Sequence, residues 1–236
     1  QKFLILYTLK NANFIIFISQ FSKAFINKNY FSVDKKCVVI PHGVDEKFFL
    51  NSSLSDFDLV PKGKYLLYVS RIEYYKRQKE VLEAFILLNN KYKDYKLYFV
   101  GPSNNKYTKM LMEKIKLENL EKKVFILGDI QQERLPPLYK KAEINIFCSE
   151  TENCPNILLE AMSAGKPVVC SDLEPMPEFG KNAPLYCKSK NPYDIAKKIE
   201  FILKNKNIHR DLSKKSINQS KKFSKSHFSK KTWNII

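Results

Sequence analysis

The sequence is poor in the residues that build metal centres and disulfide frameworks. Its 236 residues include three histidines and five cysteines. The cysteines form no C-x-x-C pair, their number is odd, and no group of His and Cys has the spacing of a zinc site. Most of the cysteines stand inside apolar runs, which favours a reduced, cytoplasmic protein over a disulfide-stabilised one.

Long apolar runs are also absent. The longest spans residues 14–18, far short of the roughly 20 residues that cross a bilayer as a helix. The sequence begins Gln1-Lys2-Phe3, with no Met and no small-residue cleavage site. We therefore expect no secretory signal and interpret the chain as part of something longer.

Acidic residues are scarce relative to basic ones. Lys and Arg number 41 against 24 Asp and Glu, which gives a formal net charge of +17. Such an excess leaves three classes of partner open: nucleic acid, an anionic membrane surface or a phosphate-bearing substrate. The composition, 44% hydrophobic and 28% charged, is that of a globular protein, and the length fits one large domain or a domain with a fragment of another.

Two nucleotide-binding patterns are missing or misplaced. Gly101 is a single glycine rather than part of G-x-G-x-x-G, which argues against a nicotinamide site. Asp56 and Asp58 form a D-x-D, a metal-binding pattern when it follows a buried strand, but they lie in a polar stretch and are interpreted as linker. His42 precedes a glycine, so a role in a turn is favoured over catalysis.

Short apolar runs alternate with helical patterns along most of the chain. Six runs of four to six residues end in Gly or Ser: 14–19, 65–70, 97–101, 124–128, 144–149 and 168–171. Runs of this length are typical of buried parallel strands. Helical spacing follows the second run at Val81, Leu82, Phe85 and Leu88, and less regular helical patterns follow later ones. The alternation predicts an α/β fold with a doubly wound, Rossmann-like parallel sheet.

Composition divides the chain into four parts. Residues 64–205 hold the strand–helix alternation and form the predicted main domain. The polar stretch 49–63 is interpreted as a linker before that domain. Residues 1–48 then belong to another unit, of which one strand, one short helix and one further apolar run are expected. Residues 206–236 form a C-terminal helical segment.

The C-terminal segment is the most basic part of the sequence. From Lys204 to Lys231 there are ten Lys or Arg and one acidic residue, which gives 10 − 1 = +9. Phe223, Phe228 and Trp233 are interspersed among these charges. The pattern predicts a basic amphipathic helix that either enters an anionic headgroup layer or packs back on the rest of the protein.

The segment 149–165 carries the most chemical information. Pro155 suits the first turn of a helix and Gly165 the position just past its end, and the residues between them are apolar nearly all round. Such a helix is buried, and Glu160 lies in its middle. A Glu on such a helix is either part of a structural ion pair, or at a solvated rim, or an acceptor for the hydroxyls of a ligand. Because the start of a helix also suits a phosphate, a nucleotide sugar is one ligand that fits both features.

Several motifs stand in a characteristic order. Glu152 and Glu160 form E-x7-E, followed by Ala-Met. Ser70-Arg71 and then Lys76 come after an early strand. Further motifs lie at residues 40–45 (Ile-Pro-His-Gly-Val-Asp), 100–101, 128–130, 165–169 and 177–178. Together they resemble the retaining glycosyltransferases of family 4, which have the GT-B fold of two α/β domains. The resemblance runs from about residue 14 to the C-terminus and covers the donor-binding domain and the end of the domain before it.

The resemblance implies a role for each matched residue. Arg71 and Lys76 would neutralise the donor diphosphate, and Glu152 would contact the donor sugar, so these three are the implied catalytic residues. Glu160 would bind the ribose hydroxyls. The other implied donor contacts are Gly101, the backbone near Ile130, and the segment Asn153, Cys154, Pro155 and Asn156. Asn153-Cys154 stands where the family often has Gly-Phe, which is a departure at the sugar pocket.

The implied reaction is transfer of a sugar from a nucleoside diphosphate sugar to a glycan or a lipid-linked saccharide, with retention of anomeric configuration. No metal and no cofactor are expected, because cationic side chains and a helix dipole would stabilise the departing diphosphate. A nucleotide-sugar epimerase of the same fold is one alternative. A nucleic-acid-binding module is another, motivated by the charge, but its recognition signatures are missing and the cations are mostly Lys, so no nucleic acid partner is expected.

The acceptor would bind mainly the domain of which residues 1–48 are interpreted as a remnant. We therefore expect this chain to bind the donor without completing transfer, since orienting two substrates supplies much of the rate. The expected location is the cytoplasm, with the protein either free or peripheral on the cytoplasmic face of a membrane.

Overall fold

A computed structural model describes residues 2–49 and 60–235. Most of the predicted linker 49–63, including Asp56 and Asp58, lies outside the described residues. The strands are β1 Ile15–Phe17, β2 Cys37–Val39, β3 Lys64–Val69, β4 Tyr95–Val100, β5 Val124–Ile126, β6 Ile144–Phe147, β7 Val168–Ser171 and β8 Leu185–Cys187. The helices are α1 Lys2–Asn11, α2 Gln20–Asn29, α3 Gln78–Asn89, α4 Lys106–Leu117, α5 Leu135–Lys141, α6 Asn156–Ser163, α7 Met176–Gly180, α8 Pro192–Lys204, α9 Lys206–Ser220 and α10 Lys225–Trp233.

The main sheet has six parallel strands in the order β5-β4-β3-β6-β7-β8. The central strands are buried along almost their whole length, which is why they appear in the sequence as continuous apolar runs. The strand order reverses between β3 and β6, and α/β sheets bind ligands at the carboxyl ends of the strands beside such a reversal. The predicted doubly wound parallel sheet is confirmed.

The helical predictions are confirmed for α3 and only partly for α4. Four apolar residues of α3 are buried, as their spacing predicts: Val81, Leu82, Phe85 and Leu88. In α4, where the helical pattern is less regular, the apolar residues Met112 and Leu117 are exposed. The buried face of α4 is formed by Tyr107, Leu111 and Ile115. Strand β8 was not predicted, because its apolar run has only three residues, between Pro184 and Lys188, and is shorter than the runs of four to six that were used.

Residues 2–40 form a small unit beside the main sheet. Strands β1 and β2 pair in parallel, and the only strictly buried apolar residues in this unit's own cluster are Ile15, Phe17 and Val33. Helices α1 and α2 contain no buried residue. The unit therefore has a small core, whereas the main core includes residues from the following segment, such as Val44 and Phe48.

The basic C-terminal segment forms two helices rather than one. Helix α9 packs on α6, and a 3-10 turn at Lys221–Phe223 leads into α10. The ring centres of Phe223 and Phe179 lie 5.5 Å apart, and those of Phe228 and His42 lie 5.9 Å apart. Of the three aromatic residues predicted to be available to a membrane, these two are therefore engaged in packing, while Trp233 is exposed.

The C-terminal segment is tied to residues 43–45 by backbone hydrogen bonds. The Val44 N–H donates to the Phe223 carbonyl (2.6 Å), and the Lys225 N–H donates to the Val44 carbonyl (2.9 Å). We call this pairing the backbone bridge. A Cβ atom on Gly43 would lie 2.5 Å from the Lys225 Cα, so the close approach requires glycine at this position.

Candidate active site

Four of the predicted site residues line one cavity at the carboxyl ends of the central strands. Arg71 follows β3, Gly101 follows β4, Ile130 follows β5, and Glu160 lies in α6. The cavity has a volume of about 180 Å³. Gly101 has φ +140°, and a Cβ atom there would lie 2.2 Å from the Ser70 carbonyl oxygen. Glycine is therefore required for the loops after β3 and β4 to meet.

The Glu160 side chain is buried and held by neutral donors. Gln132 Nε2 donates to Glu160 Oε1 (3.0 Å), and the Tyr139 hydroxyl donates to Glu160 Oε2 (3.3 Å). Burial raises the pKa of the Glu160 carboxyl, and these hydrogen bonds and the charge of Lys47 offset the effect only in part. Neither a structural ion pair nor a solvated position describes this Glu. Gln132 and Tyr139 were not found by sequence reasoning.

The other glutamate of the E-x7-E motif, Glu152, is paired with Lys76. Their side chains form an ion pair in which Lys76 is buried and Glu152 is mostly buried. The Lys76 ammonium also lies 5.4 Å from the centre of the Phe147 ring and 5.1 Å from that of Tyr75. Two predicted catalytic residues, Lys76 and Glu152, thus meet beside the end of β6. The third, Arg71, is exposed and lines the 180 Å³ cavity.

A group of further ion pairs, around Arg77 and Glu150, lies next to the pair of Lys76 and Glu152. Arg77 bonds the carboxylates of Glu80 (2.9 Å) and Glu150, and Lys190 contacts Glu150 from the other side (2.7 Å). The Glu150 N–H donates to the Tyr75 carbonyl (2.8 Å). Residues 150–153 are therefore attached to the 3-10 turn that carries Lys76. Arg77 has φ +58°, a left-handed conformation that non-glycine residues rarely adopt. No sequence signal pointed to the ion pairs of Arg77 and Glu150.

The start of α6 is open but differs in detail from the prediction. Pro155 occupies the N-cap position, and no side chain caps this end, so first-turn N–H groups lack helical acceptors. The Asn156 N–H donates to the Cys154 carbonyl (2.9 Å), and Pro155 has no N–H. The predicted backbone donors at 153–156 are therefore reduced to Asn153 and Cys154. The side-chain amide nitrogen of Asn156, Nδ2, lies 3.4 Å from His42 Nδ1. This contact connects α6 to the segment before the main domain.

The Cys154 thiol is protonated at neutral pH. Burial raises its pKa to about 11, and a hydrogen bond involving the His42 backbone offsets this only in part. A thiol with this pKa is a poor nucleophile, so Cys154 contributes shape to the loop rather than reactivity.

A larger cavity, of about 610 Å³, separates the 150–153 loop from the N-terminal unit. Glu152 and Asn153 form part of its polar side, and α1, β1 and α2 supply apolar side chains on the other. Glu178, in α7, connects the main domain to the N-terminal unit, because its carboxylate accepts hydrogen bonds from the backbone N–H groups of Gln20 (2.7 Å) and Phe21 (2.9 Å). Sequence comparison had marked Glu178 as a motif position but not as an acceptor for the start of α2.

Metal ligands do not gather at any of these sites. Within residues 2–49 and 60–235, no group of three or more His, Cys, Asp or Glu side chains could hold a metal ion. In the same ranges, no helix combines the length and apolar character needed to cross a membrane.

This geometry can be compared with known proteins. The model of the family described as "Glycosyl transferases group 1" matches residues 54–219. The chain belongs to this family. The match includes Arg71, Lys76, Glu152 and Glu160, so both halves of the candidate site lie inside it.

Relatives of this group 1 chain include two transferases. The serotype-specific mannosyltransferase WbdA of Escherichia coli is 33% identical over 133 residues, which is 56% of this chain and 16% of that protein. An N-acetylgalactosaminyltransferase of Campylobacter jejuni, whose name gives an undecaprenol-diphosphate-linked saccharide as acceptor, is 30% identical over 173 residues, or 73% of this chain and 45% of that protein. The chain thus spans half or less of these two relatives.

Solved structures agree on the fold. The sucrose-phosphate synthase of Thermosynechococcus elongatus superimposes with a TM-score of 0.83 at 21% identity, covering 99% of this chain and 60% of that one. HepE of Anabaena in complex with UDP and glucose superimposes with a TM-score of 0.86 at 19% identity, covering 99% of this chain and 65% of that one. The group 1 chain therefore has the α/β architecture of GT-B glycosyltransferases.

Proposed function

We propose that this group 1 chain binds a nucleoside diphosphate sugar at the carboxyl ends of its six-stranded sheet and belongs to an enzyme that transfers the sugar to an acceptor. The observation that carries the proposal is the cavity shared by Arg71, Gly101, Ile130 and Glu160. It combines a cation for phosphate, a buried carboxylate for hydroxyls and backbone for a base. The UDP and glucose bound to HepE support this class of donor.

Each residue has a defined part in the proposed reaction. Arg71 and Lys76 neutralise the diphosphate, and the open start of α6 adds a positive dipole. Glu160 accepts hydrogen bonds from the ribose hydroxyls. Glu152 lies near the donor sugar and stabilises the positive charge that develops as the bond from the anomeric carbon to the diphosphate breaks.

Two finer features of the reaction belong to the same proposal. Transfer proceeds with retention, so the acceptor oxygen bonds to the anomeric carbon on the face from which the diphosphate leaves. No divalent cation takes part, because Arg71, Lys76 and the start of α6 supply the positive charge. Nucleotide affinity is therefore expected to survive EDTA, and a loss reversed by Mn²⁺ or Mg²⁺ would contradict the proposal.

The acceptor side of the site is the 610 Å³ cavity. Its carboxylates at Glu150 and Glu152 face apolar side chains of α2, including Phe21 and Phe25. This combination suits a glycan attached to an apolar group, and the undecaprenol-linked acceptor named for the Campylobacter relative has that chemistry. We expect the acceptor to be a glycan or a lipid-linked saccharide.

Attachment to an anionic membrane is a further part of the proposal. The basic charge of residues 204–231 and the exposed Trp233 support it, whereas Phe223 and Phe228 are used in packing. Sedimentation at low salt should pellet more protein with anionic vesicles than with neutral ones. Equal pelleting with both would exclude electrostatic attachment to the cytoplasmic membrane face.

Calorimetry with UDP, GDP and ADP tests the donor site. The parent should bind at least one of them, and Arg71→Ala should weaken that binding by about 10- to 100-fold, the range for a hydrogen bond to a charged group. Lys79→Ala is the matched control, because Lys79 is a cation in the first turn of α3 and does not line the donor cavity. Equal affinity of Arg71→Ala and the parent would contradict the site. Conversion of the donor without an acceptor would favour an epimerase.

A further inference from the structure

The two oxygens of Glu160 are each engaged by a different structural element. Gln132 reaches Oε1 from the 3-10 turn Gln132–Arg134, and Tyr139 reaches Oε2 from α5. An ionised carboxylate has about four acceptor positions. Two donors on different oxygens therefore orient the carboxylate and leave about two positions free.

The Tyr139 hydroxyl is held in place by its surroundings. Its side chain is fully buried, its ring contacts the Phe48 ring edge-on at 6.0 Å, and its carbonyl accepts a hydrogen bond from the Asn145 amide (3.3 Å). Burial raises the pKa of the Tyr139 phenol well above its ordinary value, so the group remains a donor. A neutral donor orients a carboxylate without cancelling its charge.

Glu160 and Gln132 together line two adjoining cavities. One is the 180 Å³ cavity with Arg71 and Ile130, and the other, of about 120 Å³, is lined by Gly43, Asp45 and Lys225 among others. The free positions of the carboxylate are therefore accessible to a ligand that carries neighbouring hydroxyls.

We infer that Gln132 and Tyr139 are positioning residues, which orient the Glu160 carboxylate so that its free oxygen positions accept two neighbouring ribose hydroxyls. This inference rests on the proposed function. It assigns no direct contact with the donor to Tyr139, which acts through Glu160. Removing either donor would leave a carboxylate that is less well oriented and more easily protonated.

The charged groups around Glu160 influence how nucleotide binding through its carboxylate depends on pH. Lys47, Asp45 and Lys225 face it from the segment before the main domain and from α10, and Arg71 and Asp129 face it across the larger of the two adjoining cavities. Burial raises the pKa of Glu160, and the hydrogen bonds from Gln132 and Tyr139 lower it. Loss of one bond should raise this pKa further. The pH at which acidification weakens nucleotide binding should therefore move upward.

Calorimetry on three variants tests the inference. Tyr139→Phe and Gln132→Met each remove one donor, and Tyr65→Phe is the matched control. The Tyr65 hydroxyl is equally buried and donates to the Leu138 carbonyl of the same helix (2.7 Å), away from Glu160. The ligands are UDP, GDP and ADP, together with the 2′-deoxy form of whichever one the parent binds.

Tyr139→Phe and Gln132→Met should bind the ribonucleotide on the order of tenfold more weakly at pH 7, because a less well oriented Glu160 loses most of one charge-assisted hydrogen bond to the ribose. Their preference for the ribonucleotide over its 2′-deoxy form should shrink, and the acid limb of the binding curve should shift to higher pH. Tyr65→Phe should change none of these. Thermal unfolding of all three variants separates loss of fold from loss of orientation.

Parent-like affinity, ribose preference and pH dependence in both donor variants would overturn the inference and leave the proposed function standing. An equal loss in Tyr65→Phe would also overturn it, because the effect would then be one of helix stability. Failure of the parent to bind any of the three nucleotides would instead reject the proposed function, and the inference with it.

Discussion

The two glutamates of the E-x7-E motif are compensated in opposite ways. Glu152 is ion-paired with Lys76, whereas Glu160 accepts hydrogen bonds from the neutral side chains of Gln132 and Tyr139. The two glutamates are eight residues apart in the chain. The charge of Glu152 is balanced by a cation, whereas that of Glu160 is not balanced by the neutral groups that bond it.

This difference suits two separate tasks. In the proposed reaction, a phosphate would compete for Lys76 and release Glu152 toward the sugar, because the pair would exchange one anion for another. Among the described residues Glu160 forms no ion pair, so it would keep its acceptor positions for hydroxyls. The 150–153 loop would then respond to the charge of a ligand, and α6 would respond to its hydroxyl pattern.

Breaking the ion pair should have the largest effect. Lys76→Met leaves Glu152 mostly buried without its cation, and nucleoside diphosphate affinity should fall by on the order of 100-fold, the upper end for a hydrogen bond to a charged group. The free energy of unfolding should fall by about 3 kcal/mol, the low end for a broken buried pair, since Glu152 keeps some exposure.

A double variant separates these two losses. Adding Glu152→Gln to Lys76→Met removes the unpaired charge, so urea unfolding should recover most of the lost stability while nucleotide affinity stays low. If the double variant were as unstable as Lys76→Met, the ion pair would not be what balances Glu152.

Glu160→Gln should separate affinity from stability. Nucleotide affinity should fall by about 10- to 100-fold, because hydrogen bonds to a charged acceptor are lost. The folded-state pKa of Glu160 lies above its unfolded value of about 4.3, so its ionisation at neutral pH opposes folding. The glutamine variant should therefore be more stable than the parent at pH 7.

The gain in stability should depend on pH. At about pH 3 the parent carboxyl is almost fully protonated in both states, and the two proteins should unfold at nearly the same urea concentration. A variant less stable than the parent at pH 7, with unchanged nucleotide affinity, would mean that Glu160 is a structural residue.

A smaller effect is expected at Arg77, which joins the 150–153 loop to the turn of Lys76. Arg77→Gly removes the ion pairs to Glu150 and Glu80 but suits the left-handed backbone there. Affinity should fall by about 3- to 5-fold, equivalent to the ~1 kcal/mol of a partly exposed ion pair. The free energy of unfolding should change little.

Two controls accompany this variant. Arg77→Ala loses the same ion pairs and keeps the strained backbone, so it should be less stable than Arg77→Gly by about 1 kcal/mol. Glu80→Gln removes only the partner that lies away from the loop and should leave affinity unchanged. Equal stability of the alanine and glycine variants would show that the left-handed conformation costs nothing.

Cys154→Ser should have the smallest effect, with less than about a 3-fold change in nucleotide affinity, because the thiol contributes one weak contact. Alkylation of Cys154 by iodoacetamide should be slow at pH 7 and accelerate toward pH 11, following its raised pKa. The Cys154→Ser protein supplies the background rate from the other cysteines. Rapid labelling of Cys154 at pH 7 would contradict the burial of this thiol.

Sequence patterns predicted the parts of the fold that depend on continuous burial. The apolar runs of β3, β4, β6 and β7 are legible because a parallel sheet covered on both faces needs apolar residues throughout. The apolar run of β8 has only three residues, bounded by Pro184 and Lys188, and is too short to give such a signal.

The site was predictable as far as its motif positions, Arg71, Lys76, Glu152 and Glu160, and not in its pairing. Glu152 could have faced any of the chain's 41 cations. Gln132 and Tyr139 belong to unremarkable polar and amphipathic patterns, and only the tertiary structure brings them to Glu160. The contacts of Phe223 and Phe228 were hidden for the same reason, since an aromatic residue in a basic segment is equally compatible with lipid and with protein.

The backbone bridge between residues 43–45 and 223–225 has a practical consequence for the choice of expression boundaries. The family match ends at residue 219, but Lys225 lines a cavity beside Glu160, and Val44 loses both of its bridge partners if the chain stops there. A shortened expression clone ending at 219 would keep every motif residue and still expose the buried side chain of Val44. Boundaries drawn by sequence similarity would thus remove a wall of the pocket, and expression clones should extend past α10.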